Sequence, residues 1–318
     1  MSKKHLTPKE RFDNIIKNNL TASGVSENEF EYSIKQADQA VTLYPLYFSK
    51  TAFNSFIQEM QTLYPQHYLK YNGNANATQN KGGAGGELIE KRGRYGITPP
   101  KMASVASSSR FCYLALRNGT DALTPYKNIN ANEIEFEKEC RIFNDGTAPQ
   151  LDAFVADEEC NIYVEAKCHE IFGSHKVELK NKYLECFEKD DSLRKALEFA
   201  DKNNDNFVLP LSLFGIDKPS SRFDIKQLIC HLLGIKEQNK GKRAKLVYLF
   251  FEPSAFNDQD AALVNEVFNE LANETKLIFN SDIIRNYCNA NNIDLTALKE
   301  KSRVMEPLNK SNTFNLYI

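Results

Sequence analysis

The chain has no long hydrophobic run. Its longest apolar stretch, Leu246 to Phe251, is strand-sized and far short of the ~20 residues that span a bilayer. A membrane span is therefore not expected. The first ten residues carry Lys3 and Lys4 with no apolar core behind them, so they do not read as a secretory signal. Paired-cysteine motifs are also missing. The seven cysteines are scattered, odd in number and without a CxxC, which suits reduced thiols in a cytosol rather than a disulfide frame. No GxSxG elbow, P-loop or dinucleotide fingerprint occurs. The glycines between Gly82 and Gly86 follow no predicted strand, so they do not read as a phosphate cradle. Excess charge is absent too. A net charge of −2 argues against a chain coated in basic surface for non-specific nucleic-acid binding.

What is present suits a globular protein. At 318 residues, with 42% apolar and 26% charged residues, the chain can bury one large core or two modest ones. Residues 1–70 read as an N-terminal helical region. Thr7 caps a first helix at Pro8, a second is expected from Ser26 to about Leu43, and a third from Ser49 to Leu63. Residues 71–86, rich in Gly and Asn, read as a flexible linker or loop. Residues 87–318 read as the second domain. Pro99 to Leu116 is expected to be a helix that stops at Asn118-Gly119. Glu133 to Ile142 alternates as a strand, and Asn144-Asp-Gly146 turns it into a second strand from Leu151 to Ala156. A third follows from Ile162 to Cys168. Helices are then expected at Val177–Phe187, Phe223–Leu233 and Asp258–Asn273, with a buried strand at Lys245–Phe251. Two local basic runs, Lys91-Arg92-Gly-Arg94 and Lys236 to Lys245, read as solvated loops.

The most informative stretch runs from Gln150 to His169. Asp152 lies near the start of one strand, and the next strand ends in Glu165-Ala166-Lys167. Period-two alternation puts Glu165 and Lys167 on one face, within reach of Asp152 on the neighbouring strand. Carboxylates and an ammonium at paired strand ends must be compensated. A divalent cation with water does so, and carboxylates, carbonyls and water suit Mg²⁺. The bland alternative is a strand-edge ion pair between Lys167 and Asp152 or Glu165, which stabilises little.

Asp152 followed one strand later by Glu165-x-Lys167 resembles the PD-(D/E)XK nuclease signature of the restriction-endonuclease-like fold. The block from Phe136 to His169 is similar to a group of restriction endonucleases. The chain departs from the signature at Leu151, where proline is usual. The resemblance implies an α/β fold with an αβββαβ core, a mixed central sheet flanked by helices, in which the last strand runs parallel to the motif strand after a right-handed crossover. It implies a cytoplasmic, Mg²⁺-dependent endonuclease, with Mn²⁺ able to substitute, that hydrolyses double-stranded DNA in restriction or defence. Asp152, Glu165 and Lys167 would be catalytic. Asp152, Glu165 and the Ala166 carbonyl would hold the metal, and Lys167 would hold or help deprotonate the attacking water. Desolvation near a metal would lower its pKa. A homodimer is suggested by analogy with palindromic cutting, and a partner methyltransferase by the restriction setting.

Members of this family commonly add an acidic ligand from upstream. Glu87, Glu90, Glu137 and Glu139 are available, and strand parity favours Glu139 if the hairpin closes near Phe143. Gln227, with His231 one turn on, and Lys226 are candidates for substrate contact from the following helix. Cys160, Cys168, His169 and His175 match no closed zinc spacing. Rival readings are a structure-specific repair or recombination nuclease, and a non-catalytic DNA-binding protein that retains the fold.

Overall fold

The computed structural model describes residues 6–36, 39–72, 87–93, 96–117, 133–144, 146, 148–156, 158–300 and 313–315. It is an α/β structure with a mixed central sheet and several helices. The N-terminal part contains α1 (Pro8–Ala22), the strands β1 (Phe30–Lys35) and β2 (Val41–Phe48), α2 (Lys50–Leu63), α3 (Pro65–Asn72), and the short strands β3 (Lys91–Gly93) and β4 (Gly96–Thr98). The remainder runs α4 (Ser108–Leu116), β5 (Ile134–Glu139), β6 (Gln150–Val155), β7 (Asn161–Lys167), β8 (Val177–Lys180), α5 (Leu184–Glu188), α6 (Asp191–Arg194), β9 (Asp201–Lys202), β10 (Asn206–Leu209), α7 (Ile225–Asn239), β11 (Ala244–Phe251), α8 (Asp258–Asn280), α9 (Asp282–Ala290), β12 (Ile293–Glu300) and β13 (Thr313–Asn315).

Six strands form the central sheet in the order β13-β12-β11-β7-β6-β5. β5, β6 and β7 meander antiparallel, as alternating patterns joined by short turns require. Gly146, in the turn between β5 and β6, has φ +80°, a conformation that favours glycine. β7 pairs parallel with β11, and β11 parallel with β12. A parallel pair needs a crossover. Here it runs through the small β8-β10-β9 sheet and α7. β11 is buried along nearly its whole length, which explains its continuous apolar sequence.

The sheet is covered on both faces. On one, Phe111 of α4 packs on Phe251 with ring centroids 5.3 Å apart. On the other, α7 lies over the face that carries Glu165 and Tyr248, and His231 approaches both. α7 is buried on most of its sides, as expected of a helix held between two sheets. Gly234 lies at its closest approach, where a Cβ would come within 2.6 Å of the Cys140 carbonyl oxygen.

The sequence expectations differ from the structure at five places. The segment expected as a helix from Ser26 to Leu43 is one 3-10 turn, Glu27–Glu29, followed by the β1–β2 hairpin. The N-terminal part is thus helices around a hairpin rather than wholly helical. Ser26 and Glu29 do form a capping box, but β1 then alternates buried and exposed residues strictly, and strand pairing wins. Val177–Lys180 is likewise a strand, with helix only from Leu184 to Glu188. Within Pro99–Leu116, helix begins at Ser108, capped by Ser107. In the other direction, α7 and α8 extend beyond their expected ends. The tract at 73–86, the stop at Asn118-Gly119 and Arg94 lie outside the described residues. Among the described residues no helix is long and apolar enough to cross a membrane.

Candidate active site

The candidate residues converge at the C-terminal end of β7, where the sheet changes from antiparallel to parallel pairing. Ladder pairing between β6 and β7 stops at Ala153↔Val164. Continued by one step, that register sets Asp152 opposite Glu165. The strands no longer exchange backbone hydrogen bonds there. Instead the Ala166 N–H donates to Asp152 Oδ2 at 2.7 Å. It is thus the amide of Ala166 that engages Asp152.

Lys167 closes the other side. Its Nζ donates to Glu165 Oε1 at 2.7 Å and to Gln227 Oε1 at 2.6 Å. Gln227 Nε2 donates to the same Glu165 Oε1 at 2.8 Å. Gln227 is in the first turn of α7, whose N-cap Asp224 accepts from the Gln227 backbone N–H at 2.9 Å. His231, one turn on, is buried with Nε2 3.8 Å from Glu165 Oε2, and its Nδ1 is 3.4 Å from the Tyr248 hydroxyl. Sequence spacing thus brought together Asp152, Glu165, Lys167, Gln227 and His231. Lys226 is exposed beside a cavity of about 310 Å³ that Gln150, Tyr183 and Cys230 also line.

The glutamate that the strand register sets opposite Asp152 is Glu137 rather than Glu139. The pairs Phe136↔Ala153 and Lys138↔Leu151 bracket Glu137 opposite Asp152. Glu139 has the same parity, but it sits two pairs farther along, opposite Gln150, exposed and ion-paired with Arg141 at 3.0 Å. Glu137 is buried despite its charge and has φ +52°, a left-handed backbone that non-glycine residues adopt at a cost. Glu90 is engaged elsewhere, by the Tyr32 hydroxyl at 3.0 Å and Lys50 at 2.9 Å. Glu87 is buried and accepts from Lys101 Nζ at 3.0 Å, and its other oxygen has no hydrogen-bond partner. Lys101, which no sequence signal singled out, lies within electrostatic reach of Glu137 and Asp152 as well.

The result is a row of three acids, Glu137, Asp152 and Glu165, across three adjacent strands. Burial first, then Glu165 and Glu137, push the Asp152 carboxyl well above the usual aspartate range, against the pull of Lys167 and the Ala166 amide. Burial would strip the proton from Lys167, but Glu165, Glu170 and Asp152 outweigh it and hold the ammonium above the ordinary lysine range. Desolvation thus acts in the expected direction, and the neighbouring carboxylates outweigh it. Burial holds His231 below its ordinary value, against an opposing pull from Glu165.

Crowded like charges with oxygen donors are the environment a hard divalent cation fits. Among the described residues no three His, Cys, Asp or Glu side chains converge as a ligand set. Mg²⁺ needs no such cage, because one or two carboxylates with water suffice. Asp152 and Glu165 would hold it. The zinc possibility has no geometry behind it. Cys160 and Cys168 flank opposite ends of β7, and His169 is tied to Asp13 at 2.9 Å.

No protein-family model, curated protein or solved structure matches the chain.

Proposed function

We propose that the chain is a Mg²⁺-dependent endonuclease with a restriction-endonuclease-like core, acting on double-stranded DNA in restriction or defence. The observation that carries the reading is the acidic row Glu137–Asp152–Glu165 with Lys167 beside it, at the end of a strand meander that continues into a parallel crossover. The order α4, β5, β6, β7, α7, β11 is that of an αβββαβ core.

A phosphodiester is anionic, so it repels both a nucleophile and an acidic site. A bound divalent cation would neutralise that charge and lower the pKa of a water. Within this reading, Asp152 and Glu165 would hold the cation and Glu137, opposite Asp152, would add negative charge. Lys167 donates hydrogen bonds from its place beside Glu165, so it would orient the attacking water or the phosphate oxygen. Gln227 fixes both Lys167 and Glu165 from α7.

The second reading is a non-catalytic DNA-binding protein. The closed Lys167–Glu165–Gln227 network favours it, because these groups already satisfy one another. Thermal melting with Mg²⁺, Mn²⁺ or Ca²⁺ separates the two. A metal site gains stability by about 2.7 kcal/mol at a hundredfold excess over Kd, through selective binding to the folded state. Asp152→Ala, Glu165→Ala and Lys167→Ala are each expected to abolish metal-dependent cleavage while remaining folded. Full activity in any one of them contradicts the assignment. Loss of the Lys167 donor should cost at least ~10²–10³-fold in rate.

A further inference from the structure

A cavity of about 300 Å³ opens beside Lys167 and Gln227, on the side of α7 toward β11. Its volume is at the small end of ligand pockets, which run from ~300 Å³ upward. It has room for one small planar group and not for a base pair. The wall has two kinds of surface. Ile171, Phe223, Tyr248 and Phe250 make an apolar, mostly aromatic side, with Phe223 and Tyr248 ring centroids 4.8 Å apart. The polar rim carries Lys167, Glu170, His175, Arg222, Asp224 and Gln227.

The rim offers donors and acceptors together. His175 Nδ1 is 3.5 Å from Asp224 Oδ2, and both side chains stay partly exposed. Glu270 engages the Arg222 Nε and fixes that guanidinium at the rim. Glu274 pins the loop from behind, accepting from the Ser221 hydroxyl at 2.9 Å and the Arg222 N–H at 2.8 Å. Part of the rim is therefore positioned by the protein's own hydrogen bonds and ion pairs.

Two carboxylates, Glu170 and Asp224, offset the two cations Lys167 and Arg222 in the lining, so the cavity has no excess positive charge to favour a phosphate inside it. Glu170 is held below the usual glutamate range, since Lys167 and His169 more than offset the effect of its burial. What fits is an uncharged planar ring with both donors and acceptors on its edge. On a nucleic acid that ligand is a base, held by hydrogen bonds along its edge and by apolar contact on its faces.

We propose that this cavity receives one unstacked base of the DNA substrate, next to the phosphate bound at Lys167. The inference rests on the nuclease reading of the acidic row. It adds that the substrate is engaged with one nucleotide turned out of the stack. Duplexes with an unpaired or mismatched base at that position are then cut faster, because less unstacking is required.

The test is saturation-transfer NMR of the four deoxynucleosides, which carry no phosphate, with wild type, Asp152→Asn, His175→Trp and Asp224→Asn, each first checked by melting. At least one deoxynucleoside is expected to bind wild type and Asp152→Asn alike. His175→Trp fills the cavity and should weaken it by about tenfold or more. Asp224→Asn keeps a competent helix cap but exchanges an acceptor for a donor, so the order of preference should change. Binding of no deoxynucleoside, or equal binding to His175→Trp, overturns the inference. Metal-dependent cleavage that is unchanged in His175→Trp also overturns it while leaving the nuclease reading intact. Nucleoside binding by a protein that cuts no DNA supports the base cavity and removes the nuclease reading.

Discussion

Asp152 sits between Glu137 on one neighbouring strand and Glu165 on the other, and each ionised neighbour makes its own ionisation harder. A folded-state pKa raised above 3.8 means that the folded protein holds the proton more tightly than the unfolded chain. Stability present at low pH is then lost as the pH rises through the window above that value. Asp152→Asn should therefore raise the melting temperature of the metal-free protein near neutral pH, and the gain should vanish below about pH 4. The same variant should lose stabilisation by Mg²⁺. A lower melting temperature for the variant at pH 7 would show that the acidic row is not under strain. Such opposition between stability and a charged site is what functional groups produce when they break the rules of burial. The residue types of the site were legible in the sequence, because spacing alone places Asp152, Glu165 and Lys167 at paired strand ends. The choice of Glu137 over Glu139 was not. It depends on where the β5–β6 hairpin closes, and residues two apart share a face.

At the scale of elements, α7 ties the site to the core. It carries Gln227 and His231 on one side and meets Cys140 at Gly234 on another. Alanine is the better helix former by about 1 kcal/mol, so propensity alone predicts that Gly234→Ala stabilises. Contact with the Cys140 carbonyl predicts the opposite, a lower melting temperature, and the sign of the change decides between them. Glu274 on α8 is the second anchor. Its buried carboxylate accepts from the Ser221 hydroxyl and from the Arg222 and Phe223 amides. Glu274→Ala strands these donors at about 1–3 kcal/mol for each buried group left unsatisfied. It should also loosen the loop that ends at the α7 cap, which denaturant melting together with hydrogen exchange at Gln227 would detect. Elements with one consistent signal, such as β5, β6, β7 and β11, were readable. The β1–β2 hairpin was not, because the Ser26–Glu29 capping box is a real helix start that the alternation of Phe30, Tyr32 and Ile34 overrides. β8 was lost for a related reason, since four residues are too few for a period to declare itself.

Across the whole molecule, the basic loop and the acidic row lie at opposite ends of the parallel strands. Lys242 bonds Asn161 at the start of β7, and Arg243 pairs with Asp294 at the start of β12. A seven-residue strand at ~3.3 Å per residue separates that end from Lys167 by roughly 20 Å. Lys240→Ala and Arg243→Ala should therefore leave cleavage unchanged, and a loss in either would place DNA on that end of the sheet. With a net charge of −2 and carboxylates at the site, duplex DNA should bind weakly unless a divalent cation is present. Gel retardation that appears with Ca²⁺ and disappears with chelator would bear this out. The most direct measurement is incubation of the protein with plasmid DNA and Mg²⁺, beside the Lys167→Ala variant and a chelated control. The account predicts metal-dependent cutting by the wild type alone, with discrete fragments if the enzyme reads sequence. No cutting of any DNA, together with no metal-induced rise in melting temperature, would contradict it.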